Sequence, residues 1–223
     1  MTNVIVSAKP WHADMARHLT DSCGGTWIHI TDKSGFTAQA LAQIKPSYVF
    51  IPHWSHLIDK EIYDNYRCVI FHMTDLPYGR GGSPLQNLIA RGHTHTKISA
   101  IECRDGIDTG AIYIKRPLQL DGTARDIFER ASIIIESMIY AIVTEGIVPV
   151  PQQGDITLFR RRKKEQSNIA PIQDLGELYD LVRMLDCEGY PAAFLNTPAF
   201  HLEFREATLC PDELHARVII RGV

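Results

Sequence analysis

The chain has 223 residues and is 45% apolar, enough for one large domain, or a main domain with a small appendage, around a buried core. A balance of 23 Lys and Arg against 26 Asp and Glu leaves a formal charge of −3, which gives no electrostatic case for a nucleic-acid partner. Five scattered cysteines, an odd number with no Cys-x-x-Cys pair, argue against a disulfide framework or a zinc site and fit a reducing cytoplasm.

Short apolar runs alternate with helical patterns along the first half. Val4 to Val6 predicts a first strand, and Trp11, Met15, His18 and Leu19 then recur at helical spacing. Thr26 to Ile30 predicts a second strand, followed by a helix from about Thr37 to Lys45. Tyr48 to Ile51 is a third, Ile58 to Tyr66 a short helical piece, and Cys68 to Phe71 the next strand. A helix from Leu85 to Ala90 and strands over Ile98 to Cys103 and Ala111 to Ile114 follow. The runs lack polar alternation, as strands covered on both faces do. The expected fold class is therefore α/β, a doubly wound, mostly parallel sheet. Ligands of such sheets sit beyond the strand carboxyl ends, where both His53 and His72 fall.

Thr123 is placed to cap a long helix from Ala124 to about Glu145, with Ile127, Phe128, Ala131, Ile134, Ile135, Met138 and Ile142 as its apolar stripe and Gly146 as its stop. Pro149 to Gly154 reads as a linker, and Arg160 to Lys164 as a basic run. A helix over Asp174 to Leu185 and short strands at Ala193 to Leu195, Phe200 to Phe204 and Val218 to Ile220 complete a small mixed appendage. The expected division is 1–150 and 151–223. The N-terminus lacks a basic start before a long apolar block, so no signal peptide is expected. No stretch approaches the ~20 apolar residues of a membrane span, so no membrane partner is expected.

One region carries chemistry. His72 leads into Leu76 to Pro84, a loop too rich in glycine and proline for helix or strand. Ile107-Asp108-Thr109-Gly110 then supplies an acid. A His and an Asp beside a glycine-rich loop suit a site for proton transfer, with the Asp orienting the imidazole. Taken singly, each is more often structural, the Asp as a turn residue.

The joint pattern resembles the formyltransferase family, whose signature is roughly Asn-x-His-x-Ser-x-Leu-Pro-x-x-Arg-Gly, then Leu-Asp-x-Gly. His72, Leu76-Pro77, Arg80-Gly81 and Ile107 to Gly110 fall on it. The resemblance covers about residues 45 to 205. It implies a Rossmann-like catalytic and folate-binding domain over 1–150 and 10-formyltetrahydrofolate as co-substrate. It also implies His72 and Asp108 as the catalytic pair, and Met73, Leu76, Arg80, Gly81, Gly82, Asp105, Ile107 and Trp54 around the folate. One departure matters. Ile70 stands where the family has its catalytic Asn, and an isoleucine donates no hydrogen bond. His53 is the candidate replacement, weighed equally against a packing role.

The phrases around Pro52 to Ser55 and His72 to Ile89, with the tail from Leu178 to Phe194, are similar to the sugar N-formyltransferases of pseudaminic-acid-type pathways. The resemblance then implies a UDP-linked 4-amino-4,6-dideoxy sugar as acceptor. Arg80, Arg160, Arg161, Arg183 and Lys115 are candidates for its diphosphate, and Tyr78, Ser83 and Tyr190 for the sugar or base. Glycinamide ribonucleotide or methionyl-tRNA as acceptor, a folate-binding protein without activity, and hydrolysis of the donor by water are the alternatives. The appendage can support a homodimer, which nothing in the sequence requires.

Overall fold

The computed structural model describes residues 1–222. Strand and helix alternate first, as β1 (Thr2–Val6), α1 (Met15–Cys23), β2 (Thr26–Ile30), α2 (Ala38–Ile44), β3 (Tyr48–Pro52), α3 (Lys60–Asn65) and β4 (Cys68–His72). Next come β5 (Arg80–Gly81), α4 (Pro84–Ile89), β6 (His95–Glu102), β7 (Ile112–Gln119) and α5 (Ala124–Glu145). The chain ends with β8 (Leu158–Phe159), α6 (Leu175–Arg183), β9 (Ala193–Asn196), β10 (Phe200–Leu209) and β11 (Leu214–Gly222).

Six strands share one sheet in the order β2-β1-β3-β4-β6-β7. Pairing is parallel from β2 through β1 and β3 to β4, whereas β6 runs antiparallel to β4. The expected mostly parallel α/β sheet is thus formed, with a reversal at β6 that apolar runs cannot encode because they carry no direction. Val4, Ile5, Val6, Val49 and Phe50 are fully covered, which explains why their strands show no polar alternation.

Local chemistry sets the helix ends. Thr37 Oγ1 accepts the Ala40 N–H at 3.1 Å and starts α2. Thr123 and Asp126 cap α5 reciprocally. Asp126 N–H donates to Thr123 Oγ1 at 3.2 Å and Thr123 N–H donates to Asp126 Oδ2 at 2.8 Å. Along α5 the expected stripe is buried except Ile134, which is half-buried, while Ile139 joins it.

The chain divides into two compact units, Met1–Gly81 with Lys97–Leu118 and Glu129–Leu158, and Gly82–Thr96 with Gln119–Phe128 and Phe159–Val223. The first contains the apolar cluster of Val4, Val6, Ile30, Leu41, Val49 and Ile51. The second contains the antiparallel sheet β11-β10-β9. Its strands β10 and β11 extend well beyond the expected short runs. Polar Arg205 and Glu206 conceal the continuation, and the register shifts between Arg205 and Thr208. Among the described residues, no helix is long and apolar enough to cross a membrane.

Candidate functional site

His72 ends β4 facing Ser99 of β6 in register. Ser99 pins the loop that follows. Its hydroxyl donates to Thr74 O at 2.7 Å and accepts the Leu76 N–H at 3.3 Å. The Lys115 ammonium bonds both Asp75 and the Leu76 carbonyl, and Lys97 pairs with Asp75 at 2.9 Å. Burial alone would raise the Asp75 carboxyl, but these two lysines outweigh it and hold it below its ordinary value. Gly79 and Arg80 both donate to Thr157 O at 3.0 Å, and Gly79 turns at φ 77°, open to glycine. The turn brings the Gly79 carbonyl within 2.7 Å of His72 Nε2.

Asp108 reaches the same ring from the turn after β6, itself in the left-handed region at φ 53°. Its Oδ2 lies 3.4 Å from His72 Nδ1 and accepts the Gly81 N–H at 2.8 Å. Both side chains are largely buried, at 8% and 13% exposure. The turn is pressed against β6 so closely that a Cβ on Gly110 would stand 1.8 Å from the Glu102 carbonyl oxygen.

His72 and Asp108 lie in the wall of a cavity of about 520 Å³ in the first unit. Ile70, Trp54, Ile58 and Tyr63 form one part of its lining, and the segment 103–108 another. Asp105, Ile107 and Trp54, expected around the folate, line this cavity, and Trp54 also packs edge-on against Phe36 at 5.9 Å. Burial, and next the Asp108 charge, push the Cys103 thiol in this wall up to about 11, so it stays protonated at neutral pH.

Several expected residues lie elsewhere. Met73 and Leu76 are buried and are not among the cavity's lining residues. Arg80 is half-buried, its guanidinium bonded to Gln152 Oε1 at 2.8 and 3.2 Å, and Tyr78 is half-buried. His53 does not line the cavity. Its ring packs on Trp11 at 5.4 Å, and burial, with lesser contributions from the Lys9 and His12 charges, lowers it to about 3. The structure therefore does not place this imidazole at the cavity wall where Ile70 stands.

Gly82, Ser83, Arg160, Arg183 and Tyr190 belong to the second unit. A Cβ on Gly82 would meet Arg161 Cβ at 2.6 Å, and Ser83 Oγ accepts the Arg162 N–H at 3.1 Å. Asn87 Nδ2 donates to the carbonyls of Gly82, Ser83 and Arg160, so it ties the loop rather than offering itself to a ligand. Arg183, expected on a diphosphate, is committed inside the unit. It pairs with Asp180 at 2.7 Å and donates to Leu120 O and Gly122 O. Tyr190 stacks on Phe128 at 5.3 Å, its hydroxyl pushed up by burial. In the basic run, Arg160, Arg161, Lys163 and Lys164 are exposed.

Gln152 was missed, because Pro149 to Gly154 reads as a linker. The signal was Val150 between two prolines. It forms an antiparallel bridge with Ile112, which sets Gln152 beside Gly110.

The mostly parallel α/β sheet agrees with the fold of solved formyltransferases. The structure matches a solved methionyl-tRNA formyltransferase from Clostridium thermocellum over 100% of both chains, at 47% identity and a TM-score of 0.96. The chain belongs to the formyltransferase family, enzymes whose formyl donor is 10-formyltetrahydrofolate. Residues 164–221 also match the methionyl-tRNA formyltransferase C-terminal domain. A methionyl-tRNA formyltransferase of Gluconobacter oxydans is 27% identical over 183 residues, 80% of this chain and 60% of that protein. The chain spans about half the length of the curated relatives it matches, 60% and 49% in two of them. A sugar N-formyltransferase from a Shewanella species shares the fold alone, at 16% identity and a TM-score of 0.68 over 89% of this chain and 93% of that one.

These findings overturn two expectations. The nucleotide-sugar acceptor gives way, because the full-length likeness at 47% is to a methionyl-tRNA formyltransferase. The absence of a nucleic-acid partner falls with it. A net charge of −3 sums over the whole chain, whereas phosphate contact depends on local charge.

Proposed function

We propose that the chain transfers the formyl group of 10-formyltetrahydrofolate to the amine of methionyl-tRNA. Family membership supports the donor, and the two methionyl-tRNA formyltransferase relatives support the acceptor. In this reading 1–150 carries catalysis and folate binding, and 151–223 contributes to holding the acceptor. The observation that carries it is the His72–Asp108 pair, 3.4 Å apart in one cavity wall.

The amine nitrogen bonds to the formyl carbon, the tetrahedral intermediate collapses, and the bond from carbon to folate N10 breaks. A proton leaves the amine and one reaches N10, so formylmethionyl-tRNA and tetrahydrofolate result. Gly79 offers only a carbonyl to Nε2 and Asp108 only a carboxylate to Nδ1, so each partner favours a hydrogen on its nitrogen. The neutral ring carries one of the two hydrogens, and its other nitrogen is the base. Once it takes the amine proton, the imidazolium has an acceptor at each N–H, the Gly79 carbonyl and the Asp108 carboxylate. Ile70 adds no donor for the intermediate's oxyanion, so this term is weaker than in a site with the family's Asn. The exposed arginines and lysines between 160 and 164 suit the phosphates of an acceptor stem.

The test is an assay with 10-formyltetrahydrofolate and charged methionyl-tRNA, glycinamide ribonucleotide or a UDP-amino sugar. Formylation of methionyl-tRNA, weakening steeply with added salt, is expected. No formylated methionine on the tRNA would refute the acceptor.

A further inference from the structure

We propose that Gln152 is a positioning residue that locks the Arg80–Gly81 loop to the Asp108 turn, an inference that rests on the formyl-transfer reading of this cavity. Its side-chain amide makes four hydrogen bonds. Nε2 donates to Asp108 O at 2.8 Å and Gly110 O at 2.9 Å, and Oε1 accepts from Arg80 at 2.8 and 3.2 Å. A primary amide has two N–H donors and two oxygen lone pairs, so the group is saturated.

The two ends of the amide do different things. The nitrogen end spans Asp108-Thr109-Gly110, the turn that holds Asp108 at φ 53°, in the left-handed region that aspartate is among the few non-glycine residues to visit. The oxygen end takes Arg80, the residue before Gly81, whose N–H in turn donates to Asp108 Oδ2 at 2.8 Å. Loop and turn are thus joined twice, through the carboxylate and through Gln152. The carboxylate contact also aims Asp108 at His72, so any slack in the Gln152 link is passed to the His–Asp distance. The residue reaches this place because the Ile112–Val150 bridge, with N–H···O distances of 2.7 and 2.9 Å, lays its segment alongside the turn.

The chemistry is specific to glutamine. Glutamate would keep the oxygen for Arg80 but set acceptors against two carbonyls. Alanine would leave both carbonyls and the guanidinium to find water.

The experiment uses the full chain carrying Gln152→Ala or Gln152→Glu, with folding checked by circular dichroism. For both variants kcat on methionyl-tRNA should fall ~10²-fold, the cost of a small misplacement, while KM for 10-formyltetrahydrofolate stays within about threefold. A residue that merely stabilises the fold would lower Tm without this split. In parallel, hydrogen exchange at the Gly81 amide should quicken at least about tenfold in Gln152→Ala, a readout independent of turnover. Unchanged kcat in both variants, or unchanged Gly81 protection, overturns the proposal. A wild-type chain that formylates no amine would instead sink the functional reading, leaving the exchange measurement to judge Gln152.

Discussion

His72 and His53 stand at the carboxyl ends of neighbouring strands, β4 and β3, in opposite surroundings. His72 meets an acceptor at each ring nitrogen, a carbonyl at 2.7 Å and a carboxylate at 3.4 Å. His53 packs on an indole, near Lys9 and His12, and is kept neutral. The topology brings a ring to the edge of the sheet. Burial, more than the neighbouring charges, keeps the His53 ring neutral.

The largest effect should come from breaking the better-placed ring. His72→Ala, and Asp108→Asn as its milder counterpart, should each cost turnover ~10³-fold with the fold intact by circular dichroism. Retention of most activity by either would remove the pair from the mechanism. The second test sharpens the contrast at the position between them. Ile70 lines the cavity, so Ile70→Asn adds an amide donor where the oxygen charge develops, and kcat should rise by as much as ~10². A flat or falling rate would mean that backbone groups already fill that role.

His53→Asn should change turnover less than about threefold, since asparagine tolerates the φ of 51° there and the ring is not a cavity group. A loss near that of His72→Ala would return His53 to the mechanism.

The same ring matters more for stability. His12 and His53 both drop from an ordinary 6.5 to about 3, chiefly because burial disfavours the charged ring. Above about 6.5 both folded and unfolded chains hold them neutral, and they contribute no pH dependence. Between 6.5 and 3 the unfolded chain takes up protons that the folded one refuses, so stability should fall as pH falls through this window. Tm measured from pH 7.5 to 5 should show this slope, less steep in His53→Asn. Identical slopes would mean that the ring is accessible to protons in the folded chain.

The sheet was legible because its strands, such as Val4 to Val6 and Tyr48 to Ile51, are unbroken apolar runs bounded by turn residues. So was the convergence of His72 and Asp108, because His72, Arg80-Gly81 and Asp108 keep a spaced pattern that isolated residues lack. The β6 reversal was not legible, since direction leaves no mark in composition. Arg183 misled because an arginine bound to Asp180 and two carbonyls looks, in sequence, like one free for phosphate. Gln152 was hidden by its prolines, which signal a linker whether or not the segment forms a bridge. The acceptor misled most, since the phrases from Pro52 to Ser55 and His72 to Ile89 resemble the sugar branch in a chain whose full-length likeness is to a methionyl-tRNA formyltransferase.

Gly110 has no room for a side chain. The Glu102 carbonyl occupies the place where even a methyl group would go. A homologue could retain the imidazole, the carboxylate and every motif residue before them, exchange this one position for alanine, and so pass for a working enzyme in any pattern search. Its acid would be levered off the imidazole by a single carbon atom, and on the formyl-transfer reading the protein would be silent.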